Sequence, residues 1–268
     1  MSAVQYNNIH HTNQNLSDLV LSKVPQVTLI FWITKILATT FGETAGDAVS
    51  MSLSLGYLIS TAIFAVIFIG LLFFQISAKK YKPYLYWFTI IASTTVGTTL
   101  ADFVDRSLGI GYVGGTSILL GLVLVSLLIW YKVEGTVSPH HINHPKAEIF
   151  YWLTITFSQT LGTALGDWSA DTAGLGYSGG IILFSGLILF IVVLYFFTKV
   201  SRTILFWSAF ILTRPLGAVV GDFLDKPLAS GGLELSRFAA SGVLLVAILL
   251  CIYLANRFEN AKSAIRLS

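Results

Sequence analysis

Four copies of one motif divide this chain of 268 residues. In each copy a Gly follows a Trp by ten residues and an Asp follows that Gly by five: Trp32, Gly42, Asp47; Trp87, Gly97, Asp102; Trp152, Gly162, Asp167; Trp207, Gly217, Asp222. Each Asp lies in or beside an apolar segment long enough to enter a bilayer, where an ionised carboxylate costs about 2.5 to 3.5 kcal/mol. The motif therefore predicts four carboxylates at one membrane depth.

The composition predicts a polytopic membrane protein whose partner is the lipid bilayer, and no nucleic acid. Hydrophobic residues make up 55% of the chain and charged residues 11%, against about 25% charged in soluble domains. Residues 1 to 22 are polar, so we expect no cleaved signal peptide. The single Cys251 excludes a disulfide framework.

Apolar runs of spanning length predict an all-α fold with eight transmembrane helices. They fall at about 27–49, 55–76, 84–103, 112–131, 149–168, 177–198, 203–223 and 238–255. We expect a polar N-terminal tail over 1–26, a transmembrane domain over 27–256 and a tail over 257–268. Within the domain the repeats cover about 27–76, 84–131, 149–198 and 203–255.

Loop charges predict the orientation. The loops and tails on one side carry eleven Lys and Arg against four Asp and Glu, whereas the loops on the other side carry three against four. By the positive-inside rule the first side, with both termini, faces the cytoplasm. Because each repeat has two spans, successive repeats enter in the same direction. We therefore expect four parallel repeats with pseudo-fourfold or nested pseudo-twofold symmetry about the membrane normal.

A Trp-bearing, two-span unit repeated four times resembles a bacterial membrane family known as a repeat of unknown function, DUF347. The resemblance covers about residues 27 to 256. It implies eight spans in a bacterial cytoplasmic (inner) membrane, and it carries over no binding or catalytic residue.

Polar stripes run along the odd-numbered segments. Residues four and eight positions before each Asp share its face, which places Glu43 with Asp47, Thr98 with Asp102, and Gln159 and Thr163 with Asp167. An adjacent face carries small residues that permit close helix packing: Gly42, Gly46, Gly97, Ala101, Gly162, Gly166, Gly217 and Gly221. We expect the odd helices to cluster centrally and the even helices to surround them. The alternative is that these stripes only bond helices together.

Five acids around one axis require compensation: Glu43, Asp47, Asp102, Asp167 and Asp222. Protons, a bound cation, or Arg214 and Lys35 are the alternatives. We expect Arg214 to pair with Glu43 or a nearby Asp, and Lys35 to reach the interface instead. As a metal site, the five carboxylates with the Thr and Gln oxygens favour Mn, Mg or Ca.

The histidines occur in two clusters on the cytoplasmic side, His10 and His11, and His140, His141 and His144. They are candidate accessory ligands for a transition metal, which makes Mn²⁺ the first choice, although ordinary solvated sequence is the alternative. We interpret the four Trp residues as an interfacial belt.

The sequence therefore predicts a cation transporter that exports a hard divalent ion, with protons as counter-ions and no resident cofactor. The alternatives are a proton-coupled carrier of a small organic solute, and a metal-sensing or interaction membrane protein. No enzyme motif such as HExxH or CxxC is present, so we expect no catalytic activity. One sequence leaves the oligomeric state open.

Overall fold

A computed structural model describes residues 23–267, apart from the side chains of residues 140, 259, 260 and 262–267. The predicted N-terminal tail, with His10 and His11, thus lies almost wholly outside the described residues. The described part contains eight long helices and no strand: α1 Leu29–Asp47, α2 Gly56–Ser77, α3 Pro83–Asp102, α4 Gly111–Glu134, α5 Pro145–Asp167, α6 Gly176–Phe197, α7 Arg202–Asp225 and α8 Arg237–Leu267. The all-α prediction is confirmed.

Local sequence explains where the helices begin and end. Thr28 caps α1 by accepting a hydrogen bond from the Phe31 amide, and α3 and α5 begin at prolines, which suit a first helical turn. Each of α1, α3 and α5 continues past its Asp as a short π-helix and turns into the next helix at a glycine with positive φ. These glycines are Gly56, Gly111 and Gly176. The fourth repeat departs from this pattern, with a 3₁₀ turn at Leu228–Ser230.

Five helices are long and apolar enough to cross a membrane: α2, α4, α6, α7 and the 237–258 part of α8. Together with the repeated units, they indicate a multi-pass membrane protein. Because α1, α3 and α5 carry more polar residues, their mean hydropathy is too low for them to count among these five helices. The helix bounds follow the apolar runs closely, except that α5 begins four residues before 149 and α8 continues twelve residues beyond 255.

The odd helices form a closed inner ring in which α1 packs on α3, α3 on α5, α5 on α7 and α7 on α1. Each even helix covers the odd helix of the following repeat: α2 packs on α3, α4 on α5, α6 on α7, and α8 returns to α1. The spanning part of α7 is 72% buried, whereas those of α2, α4, α6 and α8 are 11 to 22% buried. The even helices consequently present an apolar exterior around the ring.

A buried ion pair between Lys23 and Glu148 joins the loops at the N-terminal ends of the odd helices. Lys23 Nζ lies 2.7 Å from Glu148 Oε2 and donates to the Ile76 carbonyl, and Gln75 donates to the same carboxylate. The Lys23 amide also bonds the Ile142 carbonyl in the loop between the halves. This contact joins the entry to α1, the end of α2 and the start of α5.

Candidate functional site

Equivalent positions of the odd helices form four layers across the inner ring. The first, here the acid layer, consists of Asp47, Asp102, Asp167 and Asp222. Moving by four residues toward the N-termini, the next layers are Glu43, Thr98, Thr163, Ala218; Thr39, Thr94, Gln159, Arg214; and Lys35, Ile90, Ile155, Phe210. No residue in these layers is more than 3% exposed. The structure therefore brings the sequence-predicted polar residues into one buried column.

Small residues on each odd helix receive side chains of the next helix around the ring. A Cβ on Gly42 would meet Thr94, one on Gly97 would meet Gln159, one on Gly162 would meet Arg214, and one on Gly217 would meet Thr39. Gly46, Gly166 and Gly221 similarly face Thr98, Ala218 and Glu43, and Ala101 is buried at the equivalent position. Each of these contacts between a small residue and the next odd helix, here called a seam, thus fixes the position of a polar side chain along the column.

Two basic residues neutralise part of the acid layer, and each bridges two carboxylates. Arg106 Nε lies 3.0 Å from Asp102 Oδ1, and its Nη2 lies 3.2 Å from Asp167 Oδ2. Lys226 lies 3.1 Å from Asp222 Oδ1 and donates to Asp47 Oδ2. Arg106 and Lys226 both stand four residues after the Asp of their own repeat and reach the Asp of the next. With all four carboxylates ionised, the two bridging cations would leave two negative charges in the layer.

The carboxylates also determine the protonation of the bridging cations. Burial by itself would lower the pKa of Lys226, but the adjacent Asp222 and Asp47 carboxylates raise it well above its usual range. The pKa of Arg106 is likewise raised by Asp102 and Asp167 despite burial. Both side chains therefore remain cationic.

A second set of charges lies outside the acid layer. Arg237 Nε lies 3.0 Å from Asp225 Oδ2 and 3.9 Å from Asp47 Oδ2, and Arg237 also donates to Ser52. Asp105 is buried without a hydrogen bond to either carboxylate oxygen, and burial raises its pKa to about 6 against the opposing effect of Arg106. Asp171, in contrast, is exposed.

Arg214 crosses the ring one to two layers below the acid layer. Its Nη1 lies 3.1 Å from Glu43 Oε2, and its Nη2 donates to the hydroxyls of Thr98 and Thr163. The guanidinium thus contacts α1, α3 and α5 from its own position on α7. This ion pair, expected from the sequence, closes the column between the acid layer and the N-terminal ends.

Lys35 was expected to reach the membrane interface, and that prediction is wrong. The side chain is fully buried, and its Nζ lies 3.9 Å from the centre of the Phe210 ring with no hydrogen-bond partner. The reason is that aromatic side chains close the N-terminal ends of the odd helices and leave no route to the surface. No salt bridge joins Lys35 to an acid in the described residues.

The interpretation of the four Trp residues as an interfacial belt is also wrong. Trp87, Trp152 and Trp207 are buried and Trp32 is half-buried. Each contacts the aromatic residue that precedes the Trp of the previous repeat, with centroid distances of 5.5 to 6.1 Å. These partners are Phe31, Tyr86, Tyr151 and Phe206, and Tyr86 and Tyr151 share a 2.6 Å hydroxyl contact. Together these eight aromatic side chains form an aromatic cluster that closes the inner ring of helices at their N-terminal ends.

No histidine belongs to the groups of described residues that could hold a metal ion. His144 Nε2 lies 2.9 Å from Glu134 Oε2, and residues 139–141 form a 3₁₀ turn that contains His140 and His141. Within the described part of the chain, groups able to hold a metal consist of carboxylates alone. They are Glu43 with Asp47 and Asp102, and Asp47 with Asp222 and Asp225, each with ligand oxygens within 4.8 Å of one another.

Sequence reasoning missed the three cations at the acidic end, Arg106, Lys226 and Arg237, because it counted them only as loop charges. A signal for two of them was present. Arg106 and Lys226 each follow an acid by four residues, which is one helical turn and the spacing of an intrahelical ion pair. Arg237 has no such spacing, and only the packing of α8 against α1 brings it to the site.

Comparison with known proteins agrees with this fourfold organisation. The Repeat of Unknown Function (DUF347) matches the chain four times, over residues 30–81, 85–136, 150–201 and 205–260. No curated protein and no solved structure shows a significant match to the chain. The four matches cover most of its length, so the chain belongs to the DUF347 repeat family.

Proposed function

We propose that this protein is a membrane transporter of a hard divalent cation and that the acid layer is its binding site. The observation that carries the proposal is the charge of that layer. Four buried aspartates share two bridging cations, Arg106 and Lys226, while the third nearby cation, Arg237, lies 3.9 Å from Asp47 but pairs more closely with Asp225, at 3.0 Å. Two negative charges in a buried layer are costly unless they are matched, and one divalent cation would match them.

The ligand chemistry supports the choice of ion. Carboxylate and hydroxyl oxygens suit Mn²⁺, Mg²⁺ and Ca²⁺ better than Zn²⁺ or Cu⁺. Mn²⁺ is our first choice because it is the transition metal of this group and histidine clusters stand in the loops on the proposed cytoplasmic side. Glu43, Asp47 and Asp102 form one group of candidate ligands within 4.8 Å of one another, and Thr98 and Thr163 donate hydrogen bonds to Glu43.

The proposed membrane setting has eight spans in the cytoplasmic membrane, with four parallel repeats around the membrane normal and both termini in the cytoplasm. The aromatic cluster then closes the cytoplasmic end and the acid layer lies toward the outside. The bridging cations occur in the second and fourth repeats, at Arg106 and Lys226. That alternation supports nested pseudo-twofold symmetry rather than a strict fourfold.

Transport requires that the site open alternately to the two sides. In this structure the acid layer is closed inward by Arg214 and the aromatic cluster, and it is covered outward by Arg106, Lys226 and Arg237. We propose that the ion leaves outward while protons neutralise the carboxylates that it vacates. The protein would thus exchange the metal for protons.

The experiment is cation uptake into liposomes that contain the purified protein, with Mn²⁺, Mg²⁺, Ca²⁺, Zn²⁺, Co²⁺ and Ni²⁺ as separate substrates. Asp102→Asn and Asp167→Asn should each abolish Mn²⁺ flux and still insert, because they remove charge from the membrane interior. Asp171→Asn, which changes an exposed acid outside the layer, is the matched control and should transport normally. Wild-type flux in both layer variants, or no flux of any of these ions in the wild type, would contradict the proposal.

A second candidate function is a proton-coupled carrier of a small organic anion. Arg214 favours it, because a guanidinium on the axis is suited to bind a carboxylate or phosphate. Uptake of radiolabelled organic acids with no metal flux would support it. A protein that moves neither class would instead fit the metal-sensing or interaction reading.

A further inference from the structure

A second polar site lies on the same axis, on the aromatic side of Arg214. Five buried polar atoms at this level have no hydrogen-bond partner: Lys35 Nζ, Thr94 Oγ1, Gln159 Nε2, Gln159 Oε1 and Arg214 Nε. They belong to four different helices of the ring, α1, α3, α5 and α7. Buried polar groups in proteins are almost always hydrogen-bonded, so these five atoms are available to bind a small polar ligand.

The level also holds two basic side chains and one acidic side chain. Lys35 and Arg214 both project into the column, and Phe210, whose ring Lys35 contacts, is one turn before Arg214. Glu43 is the only carboxylate that contacts Arg214 in the described residues, and none contacts Lys35. With Lys35 and Arg214 protonated and Glu43 ionised, two cations would face one anion, and a single monovalent anion would balance them.

The available atoms suit an anion more than a metal. Lys35 Nζ, Gln159 Nε2, Arg214 Nε and the Thr94 hydroxyl are all able to donate hydrogen bonds. The aromatic cluster lies on one side of this level and the Arg214 side chain on the other, so we expect a ligand of only a few atoms.

We propose that a small monovalent anion, of the size of chloride or formate, binds beside Lys35 and is held by Lys35, Gln159 and Arg214. It sits two to three layers below the acid layer and fixes Arg214 against Glu43 by completing the charge balance. The proposal stands whether or not the acid layer binds a metal.

The test is thermal unfolding of the purified protein in neutral detergent, at constant ionic strength, as chloride or formate replaces the larger anion gluconate. The wild type should unfold several degrees higher in chloride or formate than in gluconate, because an anion that binds only the folded state stabilises it. Lys35→Met should lose this shift. Lys79→Met, which changes an exposed lysine, should keep it.

Further variants separate the possible results. Gln159→Met should raise the chloride concentration that gives half of the unfolding-temperature shift at least tenfold. This variant provides the test if Lys35→Met fails to fold. Asp102→Asn should retain the dependence, which distinguishes this site from the acid layer. Equal unfolding temperatures in chloride, formate and gluconate, or a full chloride shift in Lys35→Met, would overturn the proposal.

Discussion

Single residues break the symmetry of the column, and the Glu43 and Arg214 pair does so most strongly. The equivalent positions hold Thr98, Thr163 and Ala218 in one layer and Thr39, Thr94 and Gln159 in the other. Fourfold repeats would otherwise place four identical groups at each level, with no means to bind an asymmetric ligand. The pair makes one side of the ring, between α7 and α1, chemically different from the others.

The first prediction concerns that pair. Arg214→Ala and Glu43→Gln should each lower the free energy of unfolding, Arg214→Ala by about 3 to 5 kcal/mol because it leaves a buried carboxylate unpaired. The double variant should lose less than the sum of the two. Unfolding of all three variants in detergent measures the coupling, and strict additivity would contradict the interaction. Arg214→Ala combined with Lys79→Met is the control and should be additive.

The second prediction concerns Asp105, whose pKa of about 6 lies above its ordinary value near 4. Because the folded state disfavours the charged carboxylate, Asp105 reduces stability above pH 6 and stops doing so as the pH falls through 6 toward 4. Asp105→Asn should therefore stabilise the protein at pH 7.5 by up to about 2 kcal/mol, and this gain should shrink at pH 5. Thermal unfolding at both pH values measures it, and a gain independent of pH would contradict the assignment.

At the scale of the element, the seams fix the distance between helices. Gly97 is limited mainly by backbone, because a Cβ there would lie 2.9 Å from the Gln159 carbonyl carbon and 3.0 Å from the Thr160 amide nitrogen. Neither backbone atom can move without shifting α5. The seam therefore leaves no room for even one methyl group between α3 and α5.

The third prediction follows from this contact. Gly97→Ala should destabilise the protein by about 1 to 3 kcal/mol through overpacking. Gly70→Ala, in the middle of α2 with open space around it, should be neutral or stabilising by up to about 1 kcal/mol because alanine favours a helix. Comparing the two unfolding temperatures isolates packing from helix propensity. A Gly97→Ala variant as stable as Gly70→Ala would disprove the close approach.

The sequence predicted elements better than it predicted the direction of side chains. Hydropathy located all eight helices, because an apolar run of fixed length leaves few alternatives, and the residue spacing identified the polar stripes and small seams. It could not show that Lys35 and the Trp residues point inward, since snorkelling and burial have the same sequence pattern. Nor could it assign Arg237, because its contact Asp47 lies well over half of the chain away in sequence.

At the scale of the whole molecule, the parallel order of the repeats determines whether one acid layer exists. The acids meet at one end of the ring, and the aromatic cluster meets at the other. Inverted repeats would place successive aspartates at opposite ends. Orientation in the membrane is therefore the most general test of the proposed mechanism.

The fourth prediction uses single cysteines in a Cys251→Ala background. Cysteines at Ser77 and Thr198, at the ends of α2 and α6, should react with an impermeant reagent from the cytoplasmic side. A cysteine at Leu108, exposed in the turn before α4, should react from the opposite side. Labelling of Ser77 and Thr198 from different sides would exclude parallel repeats.

The order in which the outer helices cover the ring has a consequence for biosynthesis. Each of α2, α4 and α6 covers the helix that is synthesised next, whereas α8 covers α1. The outer face of α1 is therefore covered only after α8, the last helix, has been synthesised. Residues 25–31 and 252–256 line one small crevice, so the start of α1 and the later part of α8 are neighbours. A circularly permuted gene that begins with α8 would make every covering helix directly before the helix it covers. Such a chain should assemble as four successive helical hairpins, each of which covers its own inner helix as soon as it is synthesised.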